Sequence, residues 1–171
     1  MLIKIILMVL FVVLSAYFSA TETAFSSLNK TRLKALSDKG DKKAAAALKT
    51  AENYDKLLST ILIGNNIVNI ALASMGTVLF VDLLGKKGSA VSTIVITVVV
   101  LIFGEITPKS IAKDFPERFA IFSTPIIKAF ITVLTPLNFV FSSWKKLVSK
   151  LFKSDKKSKM SQEELLLLLG E

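Results

Sequence analysis

Three apolar stretches of this sequence carry polar residues where a bilayer-crossing helix has no water to offer them. FSATETAFSS holds Ser19 and Glu22 three residues apart, and LLSTILIGNNIVNIALASMG holds Asn65 and Asn69 four apart, so each pair shares a helical face. FGEITPKS brings Gly104, Glu105, Pro108 and Lys109 to the end of a third stretch. A proline has no N–H for the carbonyl four residues before it. Pro108 therefore leaves the Gly104 carbonyl oxygen open, and glycine lets an ion or another helix come close. Hydroxyl, amide and backbone oxygens together suit a hard cation such as Mg²⁺, Ca²⁺ or Na⁺. The plainer alternative is that these groups only hydrogen-bond across helix contacts, each worth about 0.6 kcal/mol on average. Asn66 lies on a different face from Asn65 and reads as a packing or supporting residue. Glu22 and Glu105 could attract a cation or pair with Lys and Arg near the membrane boundary, and an ionisable residue in a span is a functional candidate.

The rest of the composition narrows the chemistry. Of 171 residues, 52% are hydrophobic, and the mean hydropathy is +0.60, more than a soluble domain of this size needs for one core. Cysteine and histidine are both absent, which removes disulfides, Cys/His zinc sites, thiol nucleophiles and imidazole bases together. No feature argues for an enzyme. The net charge of +9 points to cytoplasmic loops and lipid head groups rather than to nucleic acid.

Four apolar stretches, 2–25, 57–84, 90–107 and 119–144, are each near or above the roughly 20 residues that span a bilayer as a helix. The first also has the pattern of a signal peptide, with Lys4 before an apolar run and small residues at Ala16, Ser19 and Ala20. Lys30, Arg32, Lys34, Lys39, Lys42, Lys43, Lys49 and Lys56 crowd the link between the first two stretches, whereas the next link has only Lys86 and Lys87. The basic link is expected in the cytoplasm and the amino terminus outside.

Basic residues flank the fourth stretch on both sides. It therefore reads as a helix or helix pair lying in the inner leaflet, broken at Pro125 and Pro136. The expected fold is an all-α integral membrane protein with three transmembrane helices (about 2–28, 57–84 and 90–109), a cytoplasmic helical hairpin split at the Asp38 to Asp41 turn, and a juxtamembrane belt helix at about 119–146. Residues 1–150 form the transmembrane module. Residues 151–171 read as a basic linker and the start of a truncated cytosolic domain, with a capping-box spacing from Ser161 to Glu164. At ~1.5 Å of rise per residue, Ser19 lies roughly 13 Å, Asn65 about 12 Å, Asn69 about 18 Å and Gly104 about 8 Å from the cytoplasmic ends of their helices, so one site in the inner half of the membrane becomes possible.

FSATETAFSSLNKTRLK, ENYDKLLSTILIGNNIVNIALAS and FGEITPKSIAK, in this order and spacing, resemble the transmembrane module of the cyclin M (CNNM) and CorB/CorC magnesium transporters. Tyr54 departs from the resemblance, standing where relatives usually carry proline. The resemblance implies a homodimer in the plasma membrane and a missing cytosolic CBS-pair domain that binds Mg-ATP. It also implies export of Mg²⁺ coupled to Na⁺ entry, from an inward-facing pocket of Ser19, Asn65, Asn69 and the Gly104 carbonyl, with Glu22, Asn66, Glu105 and Pro108 around it. A membrane-anchored Mg²⁺ sensor that does not transport is the alternative.

Overall fold

Backbone groups in lipid have no solvent to bond to, and a helix pairs them within one segment. The computed structural model describes residues 1–152, which are helical with no strand among them. Eight α-helices follow in order: α1 (Leu2–Ser27), α2 (Lys30–Asp38), α3 (Lys42–Glu52), α4 (Tyr54–Leu84), α5 (Gly88–Val99), α6 (Thr107–Asp114), α7 (Pro116–Val133) and α8 (Thr135–Phe152). A 3₁₀ turn at Gly85–Lys87 joins α4 to α5, and a π-helical segment at Val100–Ile106 joins α5 to α6. Two stretches are long and apolar enough to cross a bilayer, Leu2–Ser27 and Tyr54–Asp114, with a third if α7 and the start of α8 count as one. The linker at 153–171, with its Ser161 to Glu164 capping box, lies outside the described residues.

Tyr54–Asp114 is not one rod. Gly85 takes φ +62°, a backbone conformation that side-chain-bearing residues rarely adopt, and α5 then packs back along α4. Gly88 lies directly against the Phe80 carbonyl, and Gly76 faces Ser92 and Ile96. The small residue Gly76 thus serves packing within the chain.

α1 is the hub of residues 1–134, touching α4, the π-helical segment, α6 and α7. Phe18 is fully buried, with its ring over Gly64 of α4 and edge-on to Phe130 of α7 at 4.9 Å between centroids. Phe18 and Phe25 are core residues, not the lipid contacts that an aromatic in a membrane helix suggests, and for Phe18 the glycine opposite leaves room for a ring between helices. The opposite face of α1, including Ile6, Val9 and Val13, stays exposed, as an apolar surface in lipid would.

Two ion pairs sit eighteen residues apart on α1. Lys4 meets Asp82 of α4 at 2.7 Å, and Glu22 meets Lys109 of α6 at 3.3 Å. Eighteen residues rise about 27 Å, close to the ~30 Å of a hydrocarbon core, so the charges bracket an apolar slab.

α2 and α3 pack through Leu33, Ala44 and Ala47, with Asn29 and Asp41 capping their first turns and Gly40 at φ +93° between them. Glu117 of α7 ties this pair down by accepting from the Asn29 N–H at 3.2 Å and facing Arg32 at 3.8 Å. α7 runs unbroken through Pro125, contrary to the break expected there. One missing N–H is tolerated because Ala120, Ser123, Thr124 and Ile127 are buried against the rest of the bundle, so packing holds the helix. The break falls at Leu134, and Pro136 stands in the first turn of α8, where its missing N–H costs nothing.

The Tyr17 hydroxyl donates to the Ser123 carbonyl at 2.9 Å, joining α1 to α7. Tyr17→Phe should cost about 1 kcal/mol, read as a melting temperature lower by about 2 to 4 °C in detergent. An unchanged melt would show that the bond adds nothing.

Candidate cation site

Of the polar residues singled out by sequence, Asn65 and Gly104 meet where α1, α4 and the π-helical segment face one another, and Ser19 and Asn69 lie one turn from that point. Close approach comes first: with no Cβ on Gly64, α1 can seat Phe18 against α4. One turn along α1 from Phe18, the Ser15 hydroxyl donates to Asn65 Oδ1 at 3.1 Å. The same Ser15 Oγ lies 2.9 Å from where a side chain at Gly104 would begin. Ser15 is fully buried and Gly104 is buried, and so three helical segments meet at one hydroxyl.

Ser19 and Asn69 flank that junction on opposite sides. The contacts Phe18–Gly64, Ser15–Asn65 and Lys4–Asp82 show that α1 and α4 run antiparallel. Moving from Asn65 to Asn69 is therefore a step toward Phe11 on α1, away from Ser19. Each of the two lies one turn, about 6 Å, from the junction along its own helix. Both carry buried oxygens with no hydrogen-bond partner among the described residues, Ser19 Oγ and Asn69 Oδ1. An oxygen so placed carries an unfavourable desolvation of about 1 to 3 kcal/mol that a bound ligand or water could relieve. Ser92 Oγ, against Gly76, is likewise unpartnered.

Gly104 sits inside seven residues of π-helix, a winding rare in proteins and frequent at functional sites. Within it the bonds reach back five residues, as from the Thr107 N–H to the Ile102 carbonyl. Pro108, in the first turn of α6, can serve neither the carbonyl four residues back, Gly104, nor the one five back, Phe103. The sequence signal for this was present in Pro108 four residues after a glycine in an apolar run, but it marks a freed carbonyl without revealing the wider turn.

The remaining candidates fall outside the junction. Asn66 is exposed, on the face away from α1. Glu22 is half-buried and engaged with Lys109, and Glu105 is half-buried. Among the described residues no three carboxylates gather, so a cation held here would be held mainly by neutral oxygens. A separate groove of about 510 Å³ between α1, α6 and α7, lined by residues such as Val13, Tyr17, Ile111, Phe119 and Phe122, is apolar and offers a cation nothing. Ser15 is the residue that reading the sequence overlooked. Its four-residue spacing from Ser19 was the available clue, placing both hydroxyls on the face that carries the cluster.

The family model of the cyclin M transmembrane N-terminal domain matches residues 5–171. The chain belongs to the cyclin M family. Its relatives include a UPF0053 protein of Haemophilus influenzae, 40% identical over 97% of this chain and 40% of the relative's length. The UPF0053 inner membrane protein YfjD of Escherichia coli is 35% identical over 92% of the chain and 38% of its own length. A chloroplastic DUF21 domain-containing protein of Arabidopsis thaliana is 34% identical over 63% of the chain and 16% of its own length. The chain thus spans about two fifths of the length of the bacterial relatives. As a cyclin M membrane domain with long apolar helices it is a multi-pass membrane protein, and the buried Ser15, Ser19 and Gly104 with the half-buried Asn65 and Asn69 form a polar strip in it.

Proposed function

We propose that this cyclin M domain carries Mg²⁺ across the plasma membrane as an exporter, with Na⁺ as the exchanged ion. The observation that carries the reading is the pair of buried, unpartnered oxygens, Ser19 Oγ and Asn69 Oδ1, on either side of Asn65 and Gly104. Orphaned oxygens inside an apolar bundle are stabilised by a cation, and neutral oxygens met in turn along the strip hold Mg²⁺ without the tight grip of several carboxylates, so that it can move on and leave again. With the amino terminus outside, an ion from the cytoplasm would meet Ser19 first, then Asn65 and the Gly104 carbonyl, then Asn69. Glu105 stands beside this route and offers the negative charge that draws cations in, while Glu22 is balanced by its Lys109 partner until an arriving cation competes for it. Such a strip works by alternating exposure to the two sides, for which the π-helical segment is a suitable moving part. No bond is made or broken, and the domain acts as a homodimer in the full-length protein, joined to a cytosolic CBS-pair domain that binds Mg-ATP.

Asn65→Ala and Asn69→Ala should each reduce Mg²⁺ efflux from loaded cells at least about tenfold, the loss expected for one hydrogen-bonding or ligating group in a buried site, with surface expression unchanged. Efflux at the wild-type rate in both variants would overturn the proposal. Saturable Mg²⁺ binding by the reconstituted chain without flux into liposomes would replace transport by sensing.

A further inference from the structure

Resting on the cation-transport reading, we propose that Ser15 is a positioning residue that sets selectivity for Mg²⁺ over Ca²⁺, by holding Asn65 and Gly104 at a fixed separation. Three observations carry this. Ser15 is fully buried and its hydroxyl donates to Asn65 Oδ1 at 3.1 Å, leaving that oxygen a second lone pair for an ion while fixing the direction of the amide. The same Oγ lies so close to Gly104 that a Cβ there would stand 2.9 Å from it and 3.3 Å from Ser15 Cβ. The two unpartnered oxygens, on Ser19 and Asn69, lie one turn to either side, which makes the Ser15 junction the middle of the polar strip.

A hydroxyl at that point acts as a spacer between two ligand-bearing segments. It sets how near the Asn65 amide comes to the π-helical segment, and so the size of the space between their oxygens. Mg²⁺ demands near-ideal octahedral geometry with oxygens about 2.0 to 2.1 Å away, whereas Ca²⁺ accepts six to eight oxygens at about 2.3 to 2.6 Å in looser arrangements. Freeing the Asn65 amide therefore weakens Mg²⁺ binding and leaves Ca²⁺ binding nearly intact. Ser19 lacks this role because its hydroxyl bonds to no other segment among the described residues.

The test is calorimetric titration of the full chain in lipid nanodiscs with MgCl₂ and, separately, CaCl₂. Ser15→Ala, which removes one oxygen and adds no bulk, should lower Mg²⁺ affinity about five- to tenfold, the worth of one buried hydrogen bond, and change Ca²⁺ affinity less than about twofold. Gly104→Ala approaches the junction from the other side, pushing a methyl group into Ser15 Oγ, and should produce the same selective loss. Ser19→Ala should weaken both ions alike. A proportionate loss of both ions in Ser15→Ala, or no loss of either, would overturn the spacer role while leaving the cation reading standing. If the unaltered chain titrates with neither ion, the cation reading falls and this one with it.

Discussion

Gly88→Ala should lower the melting temperature of the chain by about 6 to 12 °C, equivalent to about 3 kcal/mol. Gly88 opens α5, and a Cβ there would run into the Phe80 carbonyl oxygen and its neighbouring peptide. Backbone cannot rotate aside as a side chain can, so α4 and α5 must separate along the contact they share. Gly76→Ala supplies the comparison: its new methyl would meet Ile96 Cγ1 at 2.7 Å and Cδ1 at 2.9 Å, the movable part of a side chain, and should cost about half as much. Gly85→Ala separates strain from collision, since no atom lies within 4 Å of its Cβ position and only the backbone at φ +62° and ψ −139° resists, at about 1 to 3 kcal/mol. Thermal unfolding should place Gly88→Ala below Gly76→Ala, and a Gly88→Ala melt within a degree of the parent's would refute the account of the hairpin.

Gly64→Ala is expected to strike the cation site through packing. A methyl group at 64 would stand 2.5 Å from the tip of the Phe18 ring, and Phe18 has no exposed surface into which to retreat because Phe130 closes the other side. Overpacking of this kind costs about 1 to 3 kcal/mol. Its larger consequence is functional, since the Ser15 to Asn65 hydrogen bond of 3.1 Å, one turn away, depends on the same helix spacing. Mg²⁺ efflux should fall at least about tenfold, a parting of the helices breaking the bond outright. Phe18→Leu in the same chain frees the space and should restore most of the efflux. If the double variant is no more active than Gly64→Ala alone, the ring is not what holds α1 and α4 at the working distance.

These glycines show where reading the sequence stops. Apolar length, the placement of Lys and Arg, and the turn at residues 38–41 were enough to expect an all-helical membrane protein whose first two long helices begin and end within a few residues of α1 and α4. The stretch expected as one helix at 90–109, by contrast, is wound as α5, a π-helical segment and α6, and the belt expected at 119–146 is the two helices α7 and α8. Periods of three and four identified Ser19, Asn65 and Asn69, because facing residues on one helix is a local property. That Phe18 and Phe25 enter the core could not be read so, since an aromatic on a membrane helix looks the same whether lipid or a glycine stands opposite. Pro125 misled for a related reason: the local cost of a proline was real, and burial of α7 outweighed it.

The amino-acid sequence by itself therefore determined the helical class and the membrane setting, both of which follow from composition and from neighbours along one chain segment. Only the tertiary structure decided that Ser15 joins Asn65 to Gly104, that Ser19 and Asn69 lie on opposite sides of that junction, and that the segment bearing Gly104 winds as a π-helix. The relative register of two antiparallel helices is set by which ring finds which glycine, an interaction between residues 18 and 64 that no local pattern encodes.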